Sequence, residues 1–379
     1  MTRMDLRVQA WGWLTRRQAS VATMTEERLA AMQRRQVPDN FVTGWLFGAQ
    51  RPGTAVTDRT VSGPDGNEIP VRIYRAVRAP GAAPGHAASG NAAGSADGVA
   101  AGDAAVPGSA AAVAAGDGSG LAARPLIMYI HGGGFVFGGL RMGDWLCSSA
   151  ALRTGAVVIS VDYRLAPAHR FPTAVEDCYA ALTWAAGNAA ELGARGPIGV
   201  MGESAGGNLS AVMCLLARDR GGPAIAHQSL CYPATDMSDA AVSSASRLAN
   251  RNAPFLSAEE MTAYRRLYLG DDGDPADPKA SPLLAASLAG LPPALIQVAE
   301  HDPLKDDGTR YAAALRAAGV QVRLTEYVGM PHGFLNFPGL CRGTAQALSE
   351  IVAEQSAALA APALPPEPAE PAKPAEPAM

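Results

Sequence analysis

Charge, aromatic residues and cysteine are all scarce in this chain, and each scarcity removes a class of function. Charged residues make up 17% of the 379, and 31 Lys plus Arg against 35 Asp plus Glu leave a net charge of −4. Neither sign is in the excess that nucleic acid or an anionic membrane demands of a main partner, so no nucleic-acid partner is expected. The five cysteines, Cys147, Cys178, Cys214, Cys231 and Cys341, carry no C-x-x-C and no zinc-ligand spacing. They read as small core residues of a reducing compartment, and no metal is implied. No apolar stretch approaches the roughly 20 residues of a spanning helix. The basic N-terminus, with Arg3, Arg7, Arg16 and Arg17, lacks the apolar run of a secretory signal. A cytoplasmic protein without stable membrane insertion is therefore expected. Aromatic residues are only 6% and glycines number 41, so part of the apolar content is small-residue filler. Even so, about 300 residues outside the low-complexity tracts suffice for one large core.

What is present begins with Gly202-Glu203-Ser204-Ala205-Gly206, a G-x-S-x-G directly after the strand-like Pro197-Ile198-Gly199-Val200-Met201. At such a strand-to-helix elbow the serine takes a strained backbone conformation that exposes its hydroxyl, and the flanking glycines let neighbouring segments approach. Alone, the pattern arises often by chance, but a second motif supports it. His131-Gly132-Gly133-Gly134 follows the apolar run Leu126-Ile127-Met128-Tyr129-Ile130. Consecutive glycines leave amide hydrogens unshielded, and preorganised donors of this kind stabilise an oxyanion by roughly 3 kcal/mol each. Gly132 and Gly133 are the expected donors, with Ala205 as the third. A phosphate-cradling loop is disfavoured, because no G-x-x-x-x-G-K-[ST] follows and no acidic residue stands at dinucleotide-binding spacing.

A serine nucleophile of this kind draws on an acid and then a histidine further along the chain, each ending a successive strand. Of six histidines, only His301 and His332 lie well past Ser204 with strands in between. His301 abuts Asp302 at the end of the apolar run 294–299, so His332, in the loop after the strand-like 320–327, is the expected base. The acid is sought in Asp302-Pro303-Leu304-Lys305-Asp306-Asp307. Asp302 stands nearest the strand end, before the proline that opens the next helix. Asp306 and Asp307 fall in that helix's first turn, where negative charge suits the macrodipole without any chemistry. Asp302 is the expected acid, Asp306 the fallback, and Glu300 a weaker rival pointing into structure.

Further motifs accompany these: Asp162-Tyr163-Arg164-Leu165-Ala166-Pro167, Phe171-Pro172, Ser281-Pro282-Leu283, Leu291-Pro292-Pro293-Ala294, Asp302-Pro303-Leu304 and His332-Gly333-Phe334. In this order, over about residues 71 to 359, the chain resembles the hormone-sensitive-lipase-like (bacterial family IV) esterases of the α/β-hydrolase superfamily. The resemblance implies an α/β-hydrolase fold, with a mostly parallel central sheet flanked by helices and a helical cap built from the N-terminus and an insertion. It also implies a carboxylesterase that needs no cofactor, acts on small-molecule esters of short to medium acyl chain, and uses the triad Ser204, Asp302 and His332 through an acyl-enzyme. Two departures stand out. Glu203 precedes the nucleophile where many relatives carry Asp, and a supporting hydrogen-bonding role is expected of it. Residues 78–124 form a long Ala/Gly tract where relatives connect two strands briefly. An amidase or arylformamidase with the same triad, or a non-catalytic small-molecule receptor on the same fold, are the alternatives.

Composition sets the organisation. Residues 1–60 are expected to supply cap helices, with Thr23-Met24-Thr25-Glu26 as a capping box ahead of 28–32. Residues 61–361 form the catalytic domain. Val71-Arg72-Ile73-Tyr74 alternates like an early edge strand, and from about residue 125 strands such as 157–161 alternate with helices near 174–186 and 208–217. Within this domain, 78–124 has no periodicity and reads as a disordered insertion. Residues 234–282 read as a cap insertion, where a second capping box, Ser257-Ala258-Glu259-Glu260, opens a helix with Met261, Tyr264, Leu267 and Tyr268 on one face and Gly270 as its stop. That stripe is expected to pack on the N-terminal helices first and to line a substrate pocket second. Residues 362–379 alternate Pro with Glu, Ala and Lys, an extended tail. Phe135, Phe137 and Phe334 suit a pocket wall or plain packing equally, and Asp162, Tyr163 and Arg164 suit loop ordering. Linear pattern leaves the oligomeric state open, a homodimer included.

Overall fold

The computed structural model describes residues 4–15, 20–34, 40–77 and 124–360. The tail 362–379 and all of the Ala/Gly insertion except Arg124 lie outside the described residues. In chain order the elements are α1 (Leu6–Thr15), α2 (Glu26–Gln33), α3 (Phe41–Phe47), β1 (Thr54–Ser62), β2 (Glu68–Ala76), β3 (Arg124–Ile130), α4 (Asp144–Thr154), β4 (Val157–Val161), α5 (Thr173–Gly187), β5 (Ala194–Glu203), α6 (Ala205–Asp219), β6 (Ile225–Cys231), α7 (Ala245–Ala249), α8 (Ala258–Leu269), β7 (Ala294–His301), α9 (Lys305–Ala317), β8 (Val322–Pro331) and α10 (Thr344–Ala360).

One eight-stranded sheet runs in the order β1-β2-β4-β3-β5-β6-β7-β8, and only the β1–β2 and β2–β4 pairings are antiparallel. Strands covered on both faces need apolar residues at successive positions instead of alternation. Accordingly every residue of β4, Val-Val-Ile-Ser-Val, is buried. Successive side chains still point to opposite faces. Leu126, Met128 and Ile130 of β3 join the core shared with α5, α6 and α9, while Ile127 and Tyr129 join the core shared with α4 and α10. The edge is β1, not β2 as the alternation of 71–74 suggests, and β2 lies between β1 and β4. With Thr57, Asp58, Arg59 and Thr60 in its middle and most positions open to solvent, β1 carries little apolar signal, so residues 54–60 lie in the sheet although they fall within the stretch expected to supply cap helices.

Helices α2, α3 and α8 are each capped by a side chain. Thr25, not Thr23, caps α2, its hydroxyl accepting from Arg28 N at 3.3 Å, while Thr23 closes a 3-10 turn over Val21–Thr23. Gln33 at the end of α2 donates to the carbonyls of Val136 and Ala166, both at 2.8 Å, tying this helix to the loop that follows β3. At the start of α8 the box expected at Ser257 is formed, with Glu260 N donating to Ser257 Oγ at 3.2 Å and Ser257 N to Glu260 Oε2 at 2.9 Å. This helix packs on the Val21–Thr23 turn, ends at Gly270, and presents Met261 and Tyr264 to a cavity, so its apolar stripe serves both expected purposes. All five cysteines are buried and unpaired. No helix among the described residues is long and apolar enough to cross a membrane.

Candidate active site

Ser204 sits where β5 turns into α6, at φ 56° and ψ −118°, a left-handed conformation that is strained for a side chain with a Cβ. The surroundings over-determine it. Ser204 N donates to the carbonyl of Cys231 on β6 at 2.9 Å, and α6 is buried from Ala205 to Ala217. A Cβ on Gly206 would overlap the carbonyls of Ile130 and His131, so no larger residue lets the helix start this close to β3.

The hydroxyl does not stand alone. His332, just past the end of β8, places Nε2 2.9 Å from Ser204 Oγ, and its Nδ1 lies 2.8 Å from Asp302 Oδ2. An ionised carboxylate only accepts, so Nδ1 carries the hydrogen and Nε2 is left to accept from the serine. Asp302 follows β7, is wholly buried, and has its other oxygen held by Leu304 N at 2.7 Å. Glu300 accepts from Gly329 N at 2.9 Å and so anchors the chain that leads to His332. The other two carboxylates of the run are engaged elsewhere: Asp306 accepts from Ser246 N at 2.8 Å, and Asp307 from Thr235 N and Asp236 N, both at 3.1 Å. Of the three, only Asp302 meets His332. His131 stands apart as a buried imidazole pushed down to about 4 by burial, neutral and inside the fold.

The glycine loop requires a correction. Gly132, expected to offer its amide to an oxyanion, instead donates to Glu203 Oε1 at 2.7 Å. The same oxygen accepts from Tyr129 OH at 2.9 Å, so Glu203 fastens the strand before the loop and the loop itself. Burial pushes the Glu203 carboxyl up to about 7, opposed by the hydrogen bonds from Gly132 and Tyr129. Gly133 and Gly134 are the glycines of this loop that face the cavity, together with Ala205. Their three amides donate to no acceptor among the described residues. For Ala205 the reason is general, since the first N–H groups of a helix have no partner within it.

The cavity in front of Ser204 holds about 310 Å³ and its wall is chiefly apolar, with Phe135, Met237, Val242, Leu256, Met261 and Phe337. Phe135, at φ 63°, stacks on Tyr268 of α8 with ring centroids 3.8 Å apart. Phe334 is not on the wall; it is fully buried against Tyr232 and Tyr327. Arg164 is spent on the buried Asp177 at 2.7 Å, and Tyr163 OH donates to the carbonyl of His131 at 2.9 Å, so this motif braces the glycine loop. Gly134, Asp236, Arg247 and Asn336 also reach the cavity, and sequence reading passed over all four. Gly134 had a visible signal, as the third glycine of its run. The other three have none, because they come from separate turns and helices.

A strained serine backed by histidine and aspartate beside a glycine loop, on a mostly parallel sheet, defines the α/β-hydrolase class. The family described as alpha/beta hydrolase fold matches residues 127–336. Carboxylic ester hydrolase LipN of Mycobacterium tuberculosis is 46% identical over 266 residues, 68% of this chain and 70% of that one. Carboxylesterase NlhH of the same organism is 44% identical over 240 residues, 62% of this chain and 74% of that one. Among solved structures, a hyperthermophilic esterase from Pyrobaculum calidifontis superposes with a TM-score of 0.74 at 32% identity, covering 95% of this chain and 100% of that one. The chain belongs to the hormone-sensitive-lipase-like carboxylesterases of the α/β-hydrolase superfamily.

Proposed function

We propose that the chain hydrolyses esters of short to medium acyl length through a Ser204–His332–Asp302 triad and an acyl-enzyme intermediate. The observation that carries this reading is the unbroken line Ser204 Oγ, His332 Nε2, His332 Nδ1, Asp302 Oδ2, with links of 2.9 and 2.8 Å, opening on the cavity. His332 takes the serine proton as Oγ attacks the ester carbonyl, and Asp302 holds the ring in the tautomer that makes this possible and stabilises the imidazolium. The amides of Gly133, Gly134 and Ala205 receive the oxyanion, with Gly134 in the place first given to Gly132. His332 then protonates the departing alkoxide and activates the water that releases the acid.

A cavity of about 310 Å³ lies at the small end of ligand pockets, which favours short and medium acyl chains over long ones. The test is Ser204→Ala with para-nitrophenyl butyrate, for which kcat should fall about a millionfold. Wild-type enzyme should also take a fluorophosphonate on Ser204, located by peptide mass. Undiminished turnover in the alanine variant would overturn the nucleophile assignment.

A further inference from the structure

Two residues with a side chain and a positive φ stand side by side at strand ends, Ser204 after β5 at 56° and Tyr232 after β6 at 37°. Their predecessors, Glu203 and Cys231, are partners in the β5–β6 ladder. Presenting the hydroxyl accounts for the strain at Ser204. A tyrosine has no such reason, and glycine would take the conformation without strain, so the cost at Tyr232 is offset by something its side chain does. Extended backbone sends successive side chains to opposite faces. The break at Tyr232 instead lets Cys231 and Tyr232 enter one core, the one shared with α4 and α10. The backbone is fixed there, since Tyr232 N donates to the Gln297 carbonyl of β7 at 2.6 Å.

Turned this way, the wholly buried ring meets the His332 imidazole edge to face, with centroids 4.9 Å apart and planes at 67°, and meets Phe334 at 5.5 Å. The residue before it supplies the carbonyl that accepts from Ser204 N at 2.9 Å. Cys231 and Tyr232 thus hold both members of the Ser204–His332 pair, one through its backbone and the other through its ring. Tyr232 has no place in the cavity wall, so substrate does not touch it. A flat imidazole held at its two nitrogens resists pivoting about the line between them only weakly, and a second ring packed against it supplies that resistance. We infer that Tyr232 is a positioning residue for the hydrolytic reaction, whose aromatic ring keeps the His332 imidazole in line with Ser204 Oγ and Asp302. This rests on the ester-hydrolase reading above.

The experiment measures kcat and KM on para-nitrophenyl butyrate for wild type, Tyr232→Phe and Tyr232→Leu. Each rate is divided by the active sites titrated with a fluorophosphonate, so that unfolded chain does not count. Phenylalanine keeps the ring, whereas leucine fills the core without one. Tyr232→Met, with a side chain that adapts to the space, serves as a second ringless variant should leucine unfold. The ringless variants are expected to lose about tenfold or more in kcat with KM within about twofold, and Tyr232→Phe to stay within about threefold of wild type. A second readout is the downfield proton resonance of His332 Nδ1–H in histidine-labelled enzyme, identified by its absence from His332→Ala. It should persist in Tyr232→Phe and broaden in the ringless variants. A ringless variant within about threefold of wild type in kcat, or a loss in Tyr232→Phe as large as in Tyr232→Leu, would overturn the inference while leaving ester hydrolysis intact. Failure of both ringless variants to yield titratable protein would assign the ring to the fold and overturn it as well. Absence of any ester turnover by wild type, together with no fluorophosphonate on Ser204, would overturn both readings.

Discussion

Ser204, Asp302 and His332 stand at the ends of β5, β7 and β8, where each strand's closing residues are largely buried, and their backbone positions are set by ladder pairing across the sheet. The wall opposite comes from α7, α8 and the turns around them, short elements with apolar side chains such as Val242 and Leu248 more than half exposed. Floor and roof are thus held by different means. The floor rests on ladder hydrogen bonds and apolar burial, the roof on caps, ion pairs and the packing of α8 side chains such as Leu267 and Tyr268, with no strand ladder of its own. Changes in the floor should accordingly appear in kcat, and changes in the roof in KM and in stability.

The sharpest break of that comparison sets two aspartates of one segment against each other. Asp302→Asn leaves the turn at Leu304 with an acceptor but removes the charge that fixes the His332 tautomer, and kcat on para-nitrophenyl butyrate is expected to fall about ten-thousandfold. Asp306→Asn should cost less than about tenfold, because its bond from Ser246 N can go to an amide oxygen and the residue serves α7. Equal losses in steady-state kinetics would mean that Asp302 does no more than hold the fold. Next in size is Gly133→Ala. Gly133 has φ 104°, and a Cβ there would overlap the Phe137 carbonyl, so the loop must shift and its amides lose their aim. A fall of about a hundred- to a thousandfold in kcat, with little change in KM, is the expected signature of a lost oxyanion donor.

Where a side chain was legible in the sequence, a local backbone demand made it so. The elbow serine and its glycines are dictated by a turn that few residues can make, and Asp302 by its place at a strand end before a proline. The failures at the site have one physical source: they depend on contacts between segments far apart in sequence. Gly132 looks like a donor in isolation, but Glu203, 71 residues away, takes its N–H. Arg247 and Asp307, 60 residues apart, leave no linear trace of their pairing. At β1 the cause is different, since an edge strand half open to water needs so few apolar residues that its composition reads as loop.

Glu203 allows a test inside the floor itself. Burial raises its carboxyl from 4.5 to about 7. Between those values the folded chain holds a proton that the unfolded chain has released, so the residue's contribution to stability declines as pH rises through that window and is flat above it. Glu203→Gln keeps an acceptor for Gly132 N and removes the titration. The stability of the variant relative to wild type should therefore improve by roughly 3 kcal/mol between about pH 4.5 and about pH 7, read from urea midpoints. A difference independent of pH would show that the Glu203 carboxyl titrates alike in folded and unfolded chains.

The smallest effect belongs to the roof. Ser257→Ala removes the hydroxyl that accepts from Glu260 N at the start of α8, at a cost of about 1 kcal/mol to the helix. The sheet does not depend on that bond. Tyr264 and Met261, which α8 carries into the cavity, do depend on it. Calorimetry should show a small decrease in melting temperature, and kinetics a KM raised about two- to fivefold on para-nitrophenyl butyrate at unchanged kcat, since about 1 kcal/mol corresponds to that range. A fall in kcat without a rise in KM would mean that the roof helps to position the reacting groups, and the division between a catalytic floor and a binding roof would have to be given up.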